Sequence, residues 1–169
     1  MRTLLVLGGA RSGKSCHAQT RAEAEAGALV YVATAQPFDD EMAERIARHR
    51  ADRGPRWRTI EAPLDLATTI MAETRPDAVL LIDCLTLWAS NLIFAECDVA
   101  EATAELVEAI GTTRGPLILV SNEVGLGIVP DNALARRFRD VAGTINQAVA
   151  AAVDEAVFLA AGLPIRLKP

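Results

Sequence analysis

The chain of 169 residues lacks the features that mark several large protein classes. Its three cysteines, Cys16, Cys84 and Cys97, are odd in number and widely spaced, so we expect neither a disulfide framework nor a zinc site. The net charge of −5 argues against nucleic acid as a partner. No apolar run approaches the roughly 20 residues of a transmembrane segment, and the first residues show no signal-peptide pattern. We therefore expect a cytoplasmic protein.

What the chain does contain is an alternation of short apolar runs with helical stretches. Hydrophobic residues make up 51% of it, as in an ordered domain, and no linker or repeat divides it, so we expect a single domain over residues 1–169. Strands that are apolar on both faces indicate an α/β fold, a mostly parallel central sheet flanked by helices. The pattern predicts strands over 3–7, 29–33, 78–82, 117–121, 156–159 and 165–167, with a further short strand over 56–60. It predicts helices over 14–26, 40–53, 64–73, 99–112 and 132–153.

The most informative motif lies between the first predicted strand and the first predicted helix. It fits the phosphate-binding pattern G-x-x-x-x-G-K-[ST] at every invariant position. Glycines let successive backbone N–H groups point at phosphate oxygens, and the helix that follows adds the positive end of its dipole. We expect the lysine to neutralise β- and γ-phosphate charge and the final serine to bind Mg²⁺. The motif consists of Gly8, Gly9, Ala10, Arg11, Ser12, Gly13, Lys14 and Ser15.

A second candidate site residue ends the apolar segment Val79–Ile82. Asp83 has the position expected of the carboxylate that holds Mg²⁺ opposite the phosphate loop. A helix N-cap is the simpler alternative for an aspartate at such a place. Asn122 and Glu123 follow another apolar strand, at the edge of the sheet where ligands of open α/β proteins bind.

His49 is one of two histidines, and four arginines surround it in the predicted helix over 40–53. Nearby guanidinium groups disfavour a charged imidazole, which would leave a neutral nucleophile at pH 7. Acidic residues open this helix and basic residues close it, so a solvated helix face whose charges complement the dipole explains the same pattern. The residues alone leave both interpretations open.

Together these segments resemble the bifunctional adenosylcobinamide kinase/adenosylcobinamide-phosphate guanylyltransferases of cobalamin biosynthesis. The resemblance covers nearly the whole chain and includes the specific segments RIARHR and NEVGLGIVP. It is carried by GGARSGKS at 8–15, YVATA at 31–35, DDEMAERIARHRADR at 39–53, WRTIE at 57–61, SNEVGLGIVPDN at 121–132 and NALARRFRDVAGTINQ at 132–147.

The resemblance implies a two-step enzyme with a RecA-like P-loop fold that assembles as a homotrimer. ATP or GTP would phosphorylate the hydroxyl of adenosylcobinamide. A histidine, which maps to His49, would then attack the α-phosphorus of GTP, and the bound GMP would pass to adenosylcobinamide phosphate. Lys14 would serve both catalysis and nucleotide binding. The resemblance also places further residues around the nucleotide, namely Ala33, Thr34, Ala35, Arg50, Ala51, Asp52, Arg53, Glu61 and Asp83.

Two other functions fit parts of the pattern. A P-loop kinase of another small molecule would transfer only the γ-phosphoryl group, with a structural role for His49. A nucleotide-gated binding subunit would hold nucleotide without turnover. Cys16 and Cys84 flank candidate site residues, and we expect both to be buried packing residues.

Overall fold

A seven-stranded sheet forms the centre of the protein in the computed structural model, which describes residues 3–36 and 54–169. The strands are β1 (Thr3–Gly8), β2 (Ala28–Ala33), β3 (Trp57–Glu61), β4 (Ala78–Asp83), β5 (Leu117–Asn122), β6 (Glu155–Ala160) and β7 (Leu163–Lys168). Their spatial order is β3-β2-β4-β5-β1-β6-β7. All neighbouring pairs are parallel except β6 and β7, which are antiparallel.

Helices cover both faces of the sheet, which explains why the central strands are apolar on both sides. The described helices are α1 (Lys14–Glu23), α2 (Leu66–Glu73), α3 (Leu85–Phe94), α4 (Val99–Gly111) and α5 (Ala133–Ala152). Helix α1 packs through Ala18 and Ala22 against one face. The other four helices contribute to the apolar core on the opposite face. The phosphate-loop helix therefore marks one face of the sheet, called the α1 face below.

The predicted strands are all present, and each agrees with the structure to within a few residues. The predicted helix over 40–53 lies outside the described residues. Helix α3 was not predicted, because its sequence LTLWASNLIF is apolar on almost every side and lacks an amphipathic period. Its side chains are buried along most of its length, from Leu85 to Ile93. A fully buried helix gives no contrast between a core face and a solvent face.

Candidate nucleotide site

The loop between β1 and α1 contains two residues with a positive φ. Gly13 takes a φ of 93° where the helix begins, and Arg11 takes a φ of 55°. A positive φ is normal for glycine and uncommon for other residues. The Ser12 N–H donates to the carbonyl of Gly9 at 3.3 Å, and Lys14 Nζ donates to the same carbonyl at 3.1 Å. The loop thus folds back on itself and holds the lysine over its own backbone.

The turn between β6 and β7 supports this loop from a distant part of the chain. The Gly162 N–H donates to the Ser12 carbonyl at 2.9 Å. A Cβ on Gly13 would lie 3.2 Å from the Cα of Gly162, and a Cβ on Gly8 would lie 2.8 Å from the carbonyl oxygen of Leu159. Gly8 and Gly13 are therefore needed for close packing, and Gly13 also for the shape of the backbone.

Candidate residues of neighbouring strands meet at the carboxyl edge of the sheet. Asp83 at the end of β4 pairs with Ala33 of β2, which in turn pairs with Glu61 of β3. On the other side of β4, strand β5 separates Asp83 from the phosphate loop, and its last residue, Asn122, pairs with Gly8. Asp83 is half-buried, and Glu61 is exposed. Strands lie about 4.8 Å apart, so four steps place Glu61 about 19 Å from the phosphate-loop strand.

Thr34 joins the ends of β2 and β4 through its side chain. Its hydroxyl donates to the Cys84 carbonyl at 2.8 Å and accepts from the Cys84 N–H at 2.9 Å. The Thr34 side chain is 0% exposed. The Asn91 amide donates to the carbonyls of Thr34 and Pro63, at 2.8 and 2.9 Å. In this structure, Thr34 thus supports the corner that carries Asp83.

Cys84 is buried, as expected of a packing residue, whereas Cys16 is exposed, so that expectation is wrong for Cys16. Burial, together with the neighbouring Asp83 carboxylate, raises the pKa of the Cys84 thiol to about 11. A thiol with so high a pKa stays protonated at neutral pH and is a poor nucleophile. Cys16 follows the motif serine on the first turn of α1, and its side chain is exposed, whereas Ala18 and Ala22 of the same helix belong to the core among the described residues.

Several predicted site residues are placed and others are not. The phosphate loop, Ala33, Thr34, Ala35 and Asp83 gather at the carboxyl edge of the sheet, with Glu61 at its far end. His49 and the residues Arg50, Ala51, Asp52 and Arg53 lie outside the described residues. Two supporting side chains were not singled out from the sequence, Asn91 and Thr86, whose hydroxyl accepts from the Asn122 N–H at 2.6 Å. Their signal is a polar residue within an otherwise apolar helix, because a buried polar group needs a hydrogen-bond partner.

Comparison with known proteins shows that the chain matches the model of a protein family. The family model described as "Cobinamide kinase / cobinamide phosphate guanyltransferase" matches residues 4–167. The chain belongs to this family. The prediction of a bifunctional kinase and guanylyltransferase of cobalamin biosynthesis is thereby confirmed at the level of the family.

Three curated relatives match this chain over nearly their full lengths. The bifunctional adenosylcobalamin biosynthesis protein CobP of Pseudomonas aeruginosa is 50% identical over 168 residues, which cover 97% of this chain and 96% of that protein. The bifunctional adenosylcobalamin biosynthesis protein CobU of Salmonella typhimurium is 41% identical over 180 residues, with 98% and 99% covered. CobU of Escherichia coli is 39% identical over 180 residues, with the same coverage.

Solved structures support the fold alone. The assembled ATPase EscN of the enteropathogenic E. coli type III secretion system matches with a TM-score of 0.60 at 12% identity, over 95% of this chain and 43% of that chain. The flagellar accessory protein FlaH of Methanocaldococcus jannaschii matches with a TM-score of 0.53 at 16% identity, over 99% and 78%. The RecA-like P-loop fold of the family member is confirmed. Within residues 3–36 and 54–169, no helix has the length and apolarity needed to cross a membrane.

Proposed function

We propose that this family member phosphorylates the hydroxyl of adenosylcobinamide and then transfers GMP from GTP to the product through His49. The observation that carries the kinase half is the phosphate loop, held against the β6–β7 turn, with Asp83 two strands away at the same edge of the sheet. The guanylyl half rests on the resemblance of the segment around His49. Both halves agree with the two activities in the family's description.

Ser15 and Asp83 are the residues we propose for Mg²⁺. A hydroxyl and a carboxylate supply hard oxygen ligands, and Mg²⁺ in nucleotide sites takes few such ligands besides water and phosphate oxygens. The donor set therefore fits, and among the described residues no group of three or more His, Cys, Asp or Glu side chains competes for a metal. When bound, the ion would neutralise charge on the phosphates.

In the kinase step, Lys14 and the loop backbone bind the phosphates and stabilise their charge. The Lys14 ammonium, now on the Gly9 carbonyl, is within reach of an anion seated in the loop. Backbone N–H groups and the N-terminus of α1 favour the same anion. Positioning and charge stabilisation account for most of the catalysis of phosphoryl transfer.

The guanylyl step needs a nucleophile for the α-phosphorus. The imidazole of His49 would form the N–P bond while the bond from the α-phosphorus to the α,β-bridging oxygen breaks and pyrophosphate leaves. A phosphate oxygen of the acceptor would then take the GMP and free the histidine. Covalent catalysis of this kind divides one difficult displacement into two. We propose that Arg50 and Arg53 offset charge on the α-phosphoryl oxygens.

We also propose the homotrimer and a cytoplasmic location. Strand β7 lies at one edge of the sheet and exposes Leu163, Ile165 and Leu167 at 70%, 53% and 57%. An apolar edge strand of this kind tends to pair with another chain. Sedimentation of the wild type and of Ile165→Lys tests this assembly. A trimer that the lysine dissociates is expected, and a monomeric wild type would contradict it.

Labelled substrates test the two activities together. With Mg²⁺, GTP and adenosylcobinamide, we expect γ-label to enter a cobinamide phosphate and α-label to enter the GDP-linked product. His49→Ala should keep the first transfer and lose the second, whereas Lys14→Ala should lose the first. His17→Ala is the matched control, because it removes the other histidine of the chain. Loss of the α-label transfer alone in His17→Ala, or α-label transfer by His49→Ala, would contradict the proposal.

A further inference from the structure

We propose that the side-chain amide of Asn122 contacts the transferred γ-phosphoryl group in the kinase step. This inference deepens the proposed function, because it rests on the kinase half of it. The first support is position. Strand β5 lies between β1, which leads into the phosphate loop, and β4, which ends in Asp83. Asn122 pairs with Gly8, while Asp83 pairs with Val120, two residues earlier on β5.

The second support is the face on which the side chain lies. Ile118 and Val120 belong to the core cluster on the α1 face, and Asn122 continues this alternation at the end of the same strand. Asp83 continues the series of Val79 and Leu81, which belong to the same cluster. Asn122 and Asp83 therefore lie on the side of the sheet that carries the phosphate loop and α1.

The third support is the backbone of Asn122, which buried side chains hold at both polar atoms. Its N–H donates to Thr86 Oγ1 at 2.6 Å, and its carbonyl accepts from Asn146 Nδ2 at 3.2 Å. Thr86 and Asn146 are 5% and 7% exposed. The next N–H, that of Glu123, donates to the Gly8 carbonyl at 3.1 Å. This strand end is thus tied to both the helices behind it and the phosphate loop beside it.

The fourth support is the side chain of Asn122 itself. The Asn122 amide makes no hydrogen bond with any residue of 3–36 or 54–169, and it is half-buried. Glu123 offers no equivalent group, since its carboxylate accepts from the Gly125 N–H in its own loop. Of the two polar side chains at the end of β5, the amide is therefore the one available to an anion.

An amide donor at this point fits the chemistry of the kinase step. The acceptor hydroxyl oxygen bonds to the γ-phosphorus, the bond to the β,γ-bridging oxygen breaks, the nucleoside diphosphate leaves, and the hydroxyl proton goes to solvent. Negative charge stays on the equatorial γ-oxygens throughout. The N–H of a neutral, prepositioned amide stabilises that charge without introducing a cation. The α-phosphorus used in guanylyl transfer is two bridging oxygens away, so the amide should affect the two reactions unequally.

The test compares the two transfers in Asn122→Ala and in the isosteric Asn122→Asp, with Asn132→Asp as the control. Asn132 caps α5 through its side-chain oxygen, a role that aspartate also fulfils. We expect kcat for γ-label transfer to cobinamide to fall about 10²- to 10³-fold in Asn122→Ala. Asn122→Asp should fall at least as far, because its carboxylate repels the phosphate. In Asn122→Ala, the α-label retained on the enzyme and the GTP dissociation constant should stay within about threefold of wild type, as should all properties of Asn132→Asp.

Two results would overturn the proposal. One is an unchanged kinase rate in both Asn122 variants. The other is a parallel loss of kinase rate, α-label and GTP affinity in Asn122→Ala, which indicates a distorted phosphate loop. Thermal unfolding checks that each variant is folded. If the alanine variant does not fold, the kinase rate of the isosteric Asn122→Asp tests the proposal instead. Absence of α-label in the wild type would refute the His49 mechanism but leave the γ-transfer comparison intact.

Discussion

The Thr34 hydroxyl should stabilise the corner at Asp83 in a way that Thr34→Val measures directly. Valine has nearly the same shape but removes both hydrogen bonds to Cys84. The buried Cys84 N–H would lose its partner, which costs about 2 kcal/mol of stability. The Cys84 carbonyl would still accept from the Trp88 N–H at 3.2 Å, so the loss of its bond to Thr34 costs only about 1 kcal/mol. The added methyl group returns about 1 kcal/mol. The expected net loss is about 2 kcal/mol.

Urea unfolding gives the number to compare. With a denaturant slope of about 2 kcal/mol per molar, the midpoint should fall by about 1 M. Thr34→Ser keeps the hydroxyl and should cost less than Thr34→Val. Thr68→Val, at an exposed position on α2, should stay within about 0.5 kcal/mol of wild type. The reasoning is refuted if Thr34→Val is as stable as wild type, or if serine costs as much as valine.

Three further predictions concern other parts of the molecule. Arg21 forms two hydrogen bonds, at 3.1 and 3.0 Å, with the carboxylate of Glu155, which is 3% exposed. Arg21→Met should therefore destabilise the fold by about 3 kcal/mol in urea and Arg21→Lys by less, and equal losses would contradict this. Cys84, with its pKa of about 11, should react with a thiol reagent about 100-fold more slowly than Cys16 at pH 8, and comparable rates in native protein would contradict the burial. The backbone N–H of Thr3 donates to the Asp154 carboxylate and holds the pKa of Asp154 below its ordinary value of 3.8. The stabilising effect of the ionised carboxylate should therefore be full at pH 7 and lost as the pH falls through the folded-state pKa. The stability difference from Asp154→Asn should shrink below pH 3.8, and a constant difference would contradict it.

The elements predicted well are those whose signal is local. The phosphate loop follows from a pattern of eight consecutive residues, because only glycine and a few other residue types fit its backbone and its ligand. Asp83 follows from an apolar strand that ends in a carboxylate. Helix α3 was missed because burial on almost all sides removes the amphipathic period.

Contacts between distant segments could not be predicted in the same way. The Gly162 N–H meets the Ser12 carbonyl across 150 positions of sequence, and neither residue carries a mark of the other. The same holds for Asn146 and Asn122, which meet only because α5 packs behind β5. Sequence reasoning thus identified the residues expected to touch phosphate, but it missed the residues that hold them in place.

The most direct test of the account is to isolate the enzyme after reaction with Mg²⁺ and GTP and to map any covalent nucleotide by mass spectrometry. The account predicts one added GMP per chain on the peptide that contains His49, labile in acid and stable in alkali, present in His17→Ala and absent from His49→Ala. No adduct, or an adduct on a different residue, while γ-label still passes to cobinamide, would contradict the guanylyl-histidine mechanism and leave a kinase.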